Sequence, residues 1–290
     1  MSAPLLFMDS ERFQRFFDRR AFDFAHALGG HPLFEASRLL ALAQRLARDP
    51  RDVYYDAGRA EVGQRWDDLP ICEVPIDELL RRIETADAWI VLRKAEKDPA
   101  YAAILDTCID EIIALAGRSL RRRMKLTNAI IFINSPHRVS TYHIDRECNF
   151  LLQIRGTKTV SVFDRYDREV LPEEEIERFW TVDNNAAVYK PQYQDRAAVH
   201  ELLPGRGVHM PINAPHWVQN GPEVSVSLSI NFHEHDRELA DIYRVNHWLR
   251  RSGLRPTPPR QSRFIDGIKR GVYGSTRSVR RVTRHLWAHP

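Results

Sequence analysis

Tyr142-His143-Ile144-Asp145 sets an imidazole and a carboxylate two residues apart. On an extended strand, residues i and i+2 project from the same side, so His143 and Asp145 can offer a ring nitrogen and a carboxylate oxygen to one metal ion. An H-x-D triplet recurs by chance and is a weak signal alone. Its value depends on whether a third ligand stands elsewhere in the chain.

Gly205 to Asn220 reads G-R-G-V-H-M-P-I-N-A-P-H-W-V-Q-N. This resembles the second cupin signature, G-x5-P-x-G-x2-H-x3-N, with Gly205, Pro211, His216 and Asn220 in register. Asn213 replaces the central glycine, and asparagine is the residue that best tolerates a left-handed turn after glycine. The first signature reappears in modified form: Asn149 follows His143 and Asp145 where cupins often carry glutamate, and Gly156 stands seven residues later at the expected turn. Two signatures in the right order, 71 residues apart from Asp145 to His216, are far rarer by accident than either alone. Two histidines and one carboxylate form the facial triad of non-haem iron(II) oxygenases, with three coordination positions open. A zinc hydrolase can use the same ligands, so the donor set leaves the metal undecided.

Lys158 bears on that choice. It lies two residues beyond Gly156 on the returning strand of an expected hairpin, Gln153 to Lys158, from which it can project into a barrel. A 2-oxoglutarate bound through its keto-acid end needs a cation for its far carboxylate, and a buried lysine supplies one with three donors. The plain alternative is a solvated hairpin lysine.

Ser140 to Lys158 resembles the core of the JmjC-like (cupin-8) oxygenases, especially the asparaginyl hydroxylase known as factor inhibiting HIF. The family's H-x-D pair, the asparagine four residues after the aspartate and the lysine fifteen residues after the first histidine fall on His143, Asp145, Asn149 and Lys158. Its N-F pair, fifteen residues past the second iron histidine, falls on Asn231-Phe232. The hydroxyl that contacts the cosubstrate carboxylate falls on Ser140, with Thr141 as second choice. The resemblance covers roughly Ala129 to Phe232. It implies Fe(II) on His143, Asp145 and His216, with 2-oxoglutarate and O2 as cosubstrates. It further implies Lys158 and Ser140 on the cosubstrate, Asn149 and Asn231 in support, and hydroxylation of a substrate C–H bond with release of succinate and carbon dioxide. The family's upstream cosubstrate tyrosine has no counterpart in Ala88 to Arg93.

The elements that must position these residues follow from periodicity. Short strands punctuated by turns are expected at Ala129–Ile133, Cys148–Ile154, Thr159–Phe163, Val199–Leu203, Gly207–Pro211 and Ser225–Phe232. They suit a mainly β fold with α flanks, a double-stranded β-helix (jelly roll, cupin) core between N-terminal and C-terminal helices. Residues 1–125 read as a helical region with one short strand at Trp89–Leu92, 126–235 as the barrel, and 236–290 as C-terminal helices and a basic tail. Pro32 is expected to open one helix and Asp98-Pro99 another that ends at Gly117. Pro172 to Trp180 reads as a helical insert on the surface. His209 is a less favoured ligand than His216, and His233 and His235 read as ordinary, partly exposed side chains.

Three cysteines at wide spacings offer no disulfide framework and read as reduced, mostly buried residues. No apolar run approaches the roughly 20 residues of a membrane span, which makes the cytoplasm the expected compartment. The net charge of +4 is unevenly spread: Leu249 to Pro290 carry eleven Arg or Lys against one acid, Asp266, or +10, leaving −6 for residues 1–248. Such a tail fits an anionic membrane surface or a glycolipid, and so a peripheral place on the inner face of a membrane; nucleic acid is less favoured. The resemblance also implies a homodimer through the helix around Leu239 to Trp248, since related oxygenases pair through C-terminal helices. Two rival functions keep the same ligands: a non-catalytic metal-binding cupin acting as a regulator, and a zinc or nickel cupin hydrolase or isomerase. The first predicts no 2-oxoglutarate turnover and no need for Lys158; the second is indifferent to oxygen.

Overall fold

The computed structural model describes residues 3–69, 72, 74–117, 124–234 and 238–286. The chain divides into two compact units, Met1–Val170 with Val188–His235, and Leu171–Ala187 with Asp236–Pro290. The first unit carries β1 (Leu6–Phe7), α1 (Ser10–Phe16), β2 (Phe22–His26), α2 (Ala36–Leu46), β3 (Val53–Ala57), α3 (Ile76–Arg81), β4 (Ala88–Arg93) and α4 (Pro99–Ala116). There follow β5 (Met124–Asn134), β6 (Val139–His143), β7 (Cys148–Arg155), β8 (Lys158–Val162), β9 (Ala198–Leu202), β10 (Arg206–Met210), β11 (His216–Asn220) and β12 (Ser225–Glu234).

Two antiparallel sheets result, an eight-stranded one in the order β1-β2-β10-β7-β12-β5-β4-β3 and a four-stranded one in the order β6-β11-β8-β9. Leu151, Val208 and Met210 of the large sheet share one core with Val160, Val162, Leu202 and Val218 of the small one. This is the jelly-roll core expected from the turn-punctuated strands. Strand β7 is buried at every position from Cys148 to Ile154, because both its faces are covered, and five of those seven residues are apolar.

Alternation along each strand then fixes what faces the space between the sheets. The partners of the core residues are Asn149 and Gln153 on β7, Lys158 on β8, and His216 and Asn220 on β11. Across the β7–β12 register, Gln153, Leu151 and Asn149 lie opposite Ser227, Ser229 and Asn231, which puts that polar row on the inner face as well. Gly156 turns the β7–β8 hairpin at φ +68°, and a Cβ there would stand 2.5 Å from the Val224 carbonyl oxygen, so only glycine fits two residues before Lys158.

Several expectations need correction. Residues 1–125 are no separate helical region, since β1 and β2 extend the large sheet beside β10, and β3 and β4 extend it beside β5. Pro32–Phe34 forms its own 3-10 turn, and the helix proper starts at Ala36. By contrast, Asp98 caps α4 by accepting from the Ala100 amide at 2.9 Å, and Gly117 ends the helix at φ +76°. Cys108 and Cys148 are buried, Cys72 is partly so, and none of the three is joined in a disulfide.

The second unit holds α5 (Glu173–Phe179), α6 (Glu238–Arg251) and α7 (Arg263–Leu286). Helix α5 is more than a solvated insert: Ile176, Glu177 and Phe179 are buried, and Glu177 takes two hydrogen bonds from Arg250 of α6, at 2.7 and 2.9 Å. Ile242, Tyr243 and Val245 of α6 are buried, and the Tyr243 ring stacks with Trp180 at 6.5 Å. Among the described residues no helix is long and apolar enough to cross a membrane.

Candidate metal centre

His143 ends β6, His216 begins β11, and the two are paired directly across the strands. Their rings lie 4.2 Å apart between centroids. Asp145 stands two residues past the end of β6, in the turn before β7, so the strand alternation argued from sequence does not itself place it. The turn does: the Asn213 amide donates to the Asp145 carbonyl at 3.0 Å, and Asn213 holds φ +59°, the left-handed conformation its place in the signature requires. One ligand atom from each of His143, Asp145 and His216 falls within 4.8 Å of the others. His216 Nε2 lies 3.7 Å and His143 Nε2 4.0 Å from the Asp145 carboxylate.

The histidines are oriented for a metal by their own backbone. His143 Nδ1 donates to the Thr141 carbonyl at 2.6 Å and His216 Nδ1 to the Ala214 carbonyl at 2.9 Å, which leaves both Nε2 lone pairs turned toward the carboxylate. Burial pushes His216 down to about 4, with the neighbouring His143 in the same direction, so its ring is neutral, as a ligand must be. His216 is buried, whereas the side chains of His143 and Asp145 keep 26% and 36% exposure, which opens the triad to solvent on one side. Two imidazole nitrogens and one carboxylate oxygen, converging on one point, fit a divalent first-row metal.

The cosubstrate candidates surround the same inner space. Lys158 is 5% exposed, and burial alone pushes its ammonium from an ordinary 10.5 down to about 7. Among the described residues no carboxylate pairs with it. Four residues of β8, about 13 Å at 3.3 Å each, separate it from Val162, the residue opposite His216. The β6–β11 pairing slips between His216 and Val218, so that His143 faces His216 and Ser140 faces Val218. That bulge returns Ser140 to the inner side. Thr141 lies within it, buried, with its carbonyl committed to His143.

Asn149 and Asn231 are partners across β7 and β12. Asn231 accepts from the Ser229 hydroxyl at 3.1 Å and donates to Asn128 Oδ1 at 3.3 Å. Asn149 Oδ1 is buried with no hydrogen-bond partner among the described residues. Further in, Gln153 donates to Ser225 Oγ at 3.0 Å and accepts from Ser227 at 2.6 Å, while Asn134 of the large sheet donates to Asn220 of the small one at 3.4 Å.

His209 lies on the outer side of β10, over Phe150 and Phe17 at 4.6 and 5.2 Å. Its Nδ1 donates to the Asn149 carbonyl at 2.9 Å and its Nε2 accepts from the Asp18 amide at 3.0 Å, so neither nitrogen is free for a metal. His233 pairs with Glu147 at 3.2 Å, and His235 lies outside the described residues. Sequence reasoning passed over Glu147, whose carboxyl is pushed up to about 7, by burial first and then by the charge of Asp145. Its two-residue offset from inward-facing Asn149 was the available signal. It also passed over a buried pair on the β3 side of the unit, Arg138 with Asp56, both 2% exposed, where Arg138 also donates to the Gly58 carbonyl at 2.7 Å.

No protein-family model and no curated protein sequence matches the chain. Among solved structures it is similar to E. coli ycfD, at 15% identity and a TM-score of 0.52, over 98% of this chain and 69% of that one. It is likewise similar to YcfD, a ribosomal oxygenase from Escherichia coli, in complex with cobalt and 2-oxoglutarate, at 15% identity and a TM-score of 0.53, over 99% and 69%. The chain therefore has the fold of that oxygenase, a jelly roll with flanking helices, with a His-Asp-His triad formed by His143, Asp145 and His216.

Proposed function

We propose that this chain is an iron(II)- and 2-oxoglutarate-dependent oxygenase that hydroxylates a C–H bond, with His143, Asp145 and His216 holding the metal. The observation that carries this reading is Lys158, an ammonium buried between the sheets of the triad's own barrel, without a counter-ion among the described residues. An uncompensated buried charge is unfavourable by several kcal/mol, roughly, and is retained where a ligand supplies the opposite charge. A five-carbon dicarboxylate reaching inward from the metal supplies it. A zinc or nickel hydrolase, or a regulator, has no use for such a cation.

Each residue then has a part. His143, Asp145 and His216 would hold the metal, and the backbone-anchored Nδ1 atoms of the two histidines keep their rings in place. Lys158 binds the far carboxylate, and Ser140 on the inner face of β6 adds a hydroxyl donor. Asn149 offers an amide whose oxygen awaits a donor, and Asn231 is locked by Ser229 and Asn128 as a fixed neighbour. The apolar core around Val160 and Val218 excludes water from the inner end. Bound iron, with 2-oxoglutarate and dioxygen, supplies the oxidising power that side chains lack. The neighbouring YcfD is a ribosomal oxygenase, which supports the reaction class. The substrate belongs among protein or peptide side chains or lipopolysaccharide sugars.

The test is anaerobic titration of the Fe(II) protein with 2-oxoglutarate, which should raise a weak visible charge-transfer band. His143→Ala and Asp145→Ala should each abolish both the band and succinate formation. Undiminished turnover in either variant overturns the assignment.

A further inference from the structure

Helix α7 is held to its own unit along one side. Lys269 Nζ donates to the Thr257 carbonyl at 2.6 Å, and Asp266 accepts from the Arg260 amide at 2.8 Å. The Tyr273 ring lies 5.5 Å from Trp248, with the Arg244 guanidinium 5.5 Å above it. Asp266, Lys269 and Tyr273 recur at spacings of three and four, which is one helical face.

The opposite side is apolar and stands in solvent. Phe264, Ile268 and Val272, four residues apart, are 78%, 52% and 49% exposed. A charged helix has no need of such a stripe unless something covers it. In sequence the spacing runs on, with Val279, Val282 and Leu286 seven, ten and fourteen residues beyond Val272. The segment is also strongly cationic, with eleven Arg or Lys and one acid, Asp266, between Leu249 and Pro290.

Two of the three possible occupants satisfy only half of this description. Nucleic acid matches the charge but leaves the apolar stripe without a partner. A second copy of the helix buries the stripe but sets like charges side by side with almost no acid between them. A lipid surface bearing negative headgroups meets both features, because acyl chains take the apolar edge and headgroups take the arginines. We propose that α7 docks lengthwise on an anionic phospholipid surface, with Phe264, Ile268 and Val272 inserted and the arginines at the headgroups. This inference does not depend on the metal centre, and either can fail without the other.

The experiment uses the full chain and two vesicle preparations, phosphatidylcholine alone and phosphatidylcholine with phosphatidylglycerol. The protein should sediment with the second and not the first, and added salt should release it. The triple variant Phe264→Ser, Ile268→Ser, Val272→Ser should bind more than about tenfold more weakly with its metal affinity unchanged. Phe264→Ser alone, at the most exposed position of the stripe, gives a smaller loss in the same direction. Equal binding by wild type and triple variant overturns the proposal, as does absence of binding to the anionic vesicles. So does a dimer in solution that the triple variant converts to monomer, or binding to duplex RNA without binding to vesicles.

Discussion

Lys158→Met removes the buried ammonium while keeping an unbranched side chain, and its effects can be worked out in advance. A hydrogen bond from a charged donor is worth about 1.5 to 3 kcal/mol, so 2-oxoglutarate affinity should fall by about 10- to 150-fold. The pH dependence is more diagnostic. Without ligand the ammonium lies at about 7, because burial opposes its charge. Only the protonated form binds a carboxylate, and the free lysine loses its proton as pH rises through 7, so above that pH each bound ligand brings one proton with it. Affinity should be nearly flat below pH 6 and should weaken about 30-fold between pH 6 and 8.5. Calorimetry under anaerobic conditions, in two buffers of different ionisation heat, should register close to one proton taken up at pH 8.5 and almost none at pH 6. The same substitution should stabilise the ligand-free protein. The unfolded lysine titrates at its ordinary 10.5 and the folded one at about 7, so between these values the unfolded chain holds more protons and wild-type stability rises with pH. Lys158→Met should therefore gain about 1 to 3 kcal/mol at neutral pH, a gain that fades toward pH 10.5. Affinity that is independent of pH, no proton uptake, and a methionine variant that binds as tightly as wild type would together refute the role given to this residue.

Arg138→Met should lose about 3 to 5 kcal/mol of stability in urea denaturation, because Asp56, 2% exposed and with its carboxyl already raised by burial, loses the guanidinium that favours its charge and must stay buried unpaired or take up a proton; a loss under 1 kcal/mol would contradict the importance given to the pair. His209→Phe should lose about 2 kcal/mol by stranding the Asp18 amide and the Asn149 carbonyl. Its iron affinity should match wild type, and a large drop would mean that His209 serves the metal after all.

The barrel was legible because its central strands carry strong local signals. Cys148 to Ile154 is mostly apolar, broken only by Asn149 and Gln153, and its hairpin turns at Gly156, while the turn before His216 requires a residue that accepts a left-handed backbone, which Asn213 does. Strands β1, β2 and β3 were not legible. They are two to five residues long, and their place in the large sheet is set by β10 and β4, which lie far away in sequence. Asp145 does converge with the two histidines, but the strand argument for it holds only in part, since it sits in a turn that Asn213 pins from 68 residues away. Arg138 with Asp56 and Arg250 with Glu177 are separated by 82 and 73 residues, and no local pattern announces partners that meet only once the chain has folded.

The difference in exposure along the barrel bears on the order of events. At one end His143 and Asp145 are partly open, while Lys158, Asn134 and Asn220 at the other are 5% exposed or less, bound into strands on both sides. Among the described residues the triad is the open end, so a diacid held at Lys158 should enter past it, and whatever rests over the triad afterwards should block the way out. Kinetics should therefore be of the compulsory-order kind, with the small acid loading first and its spent form departing last. Excess substrate would then inhibit by occupying the doorway too early.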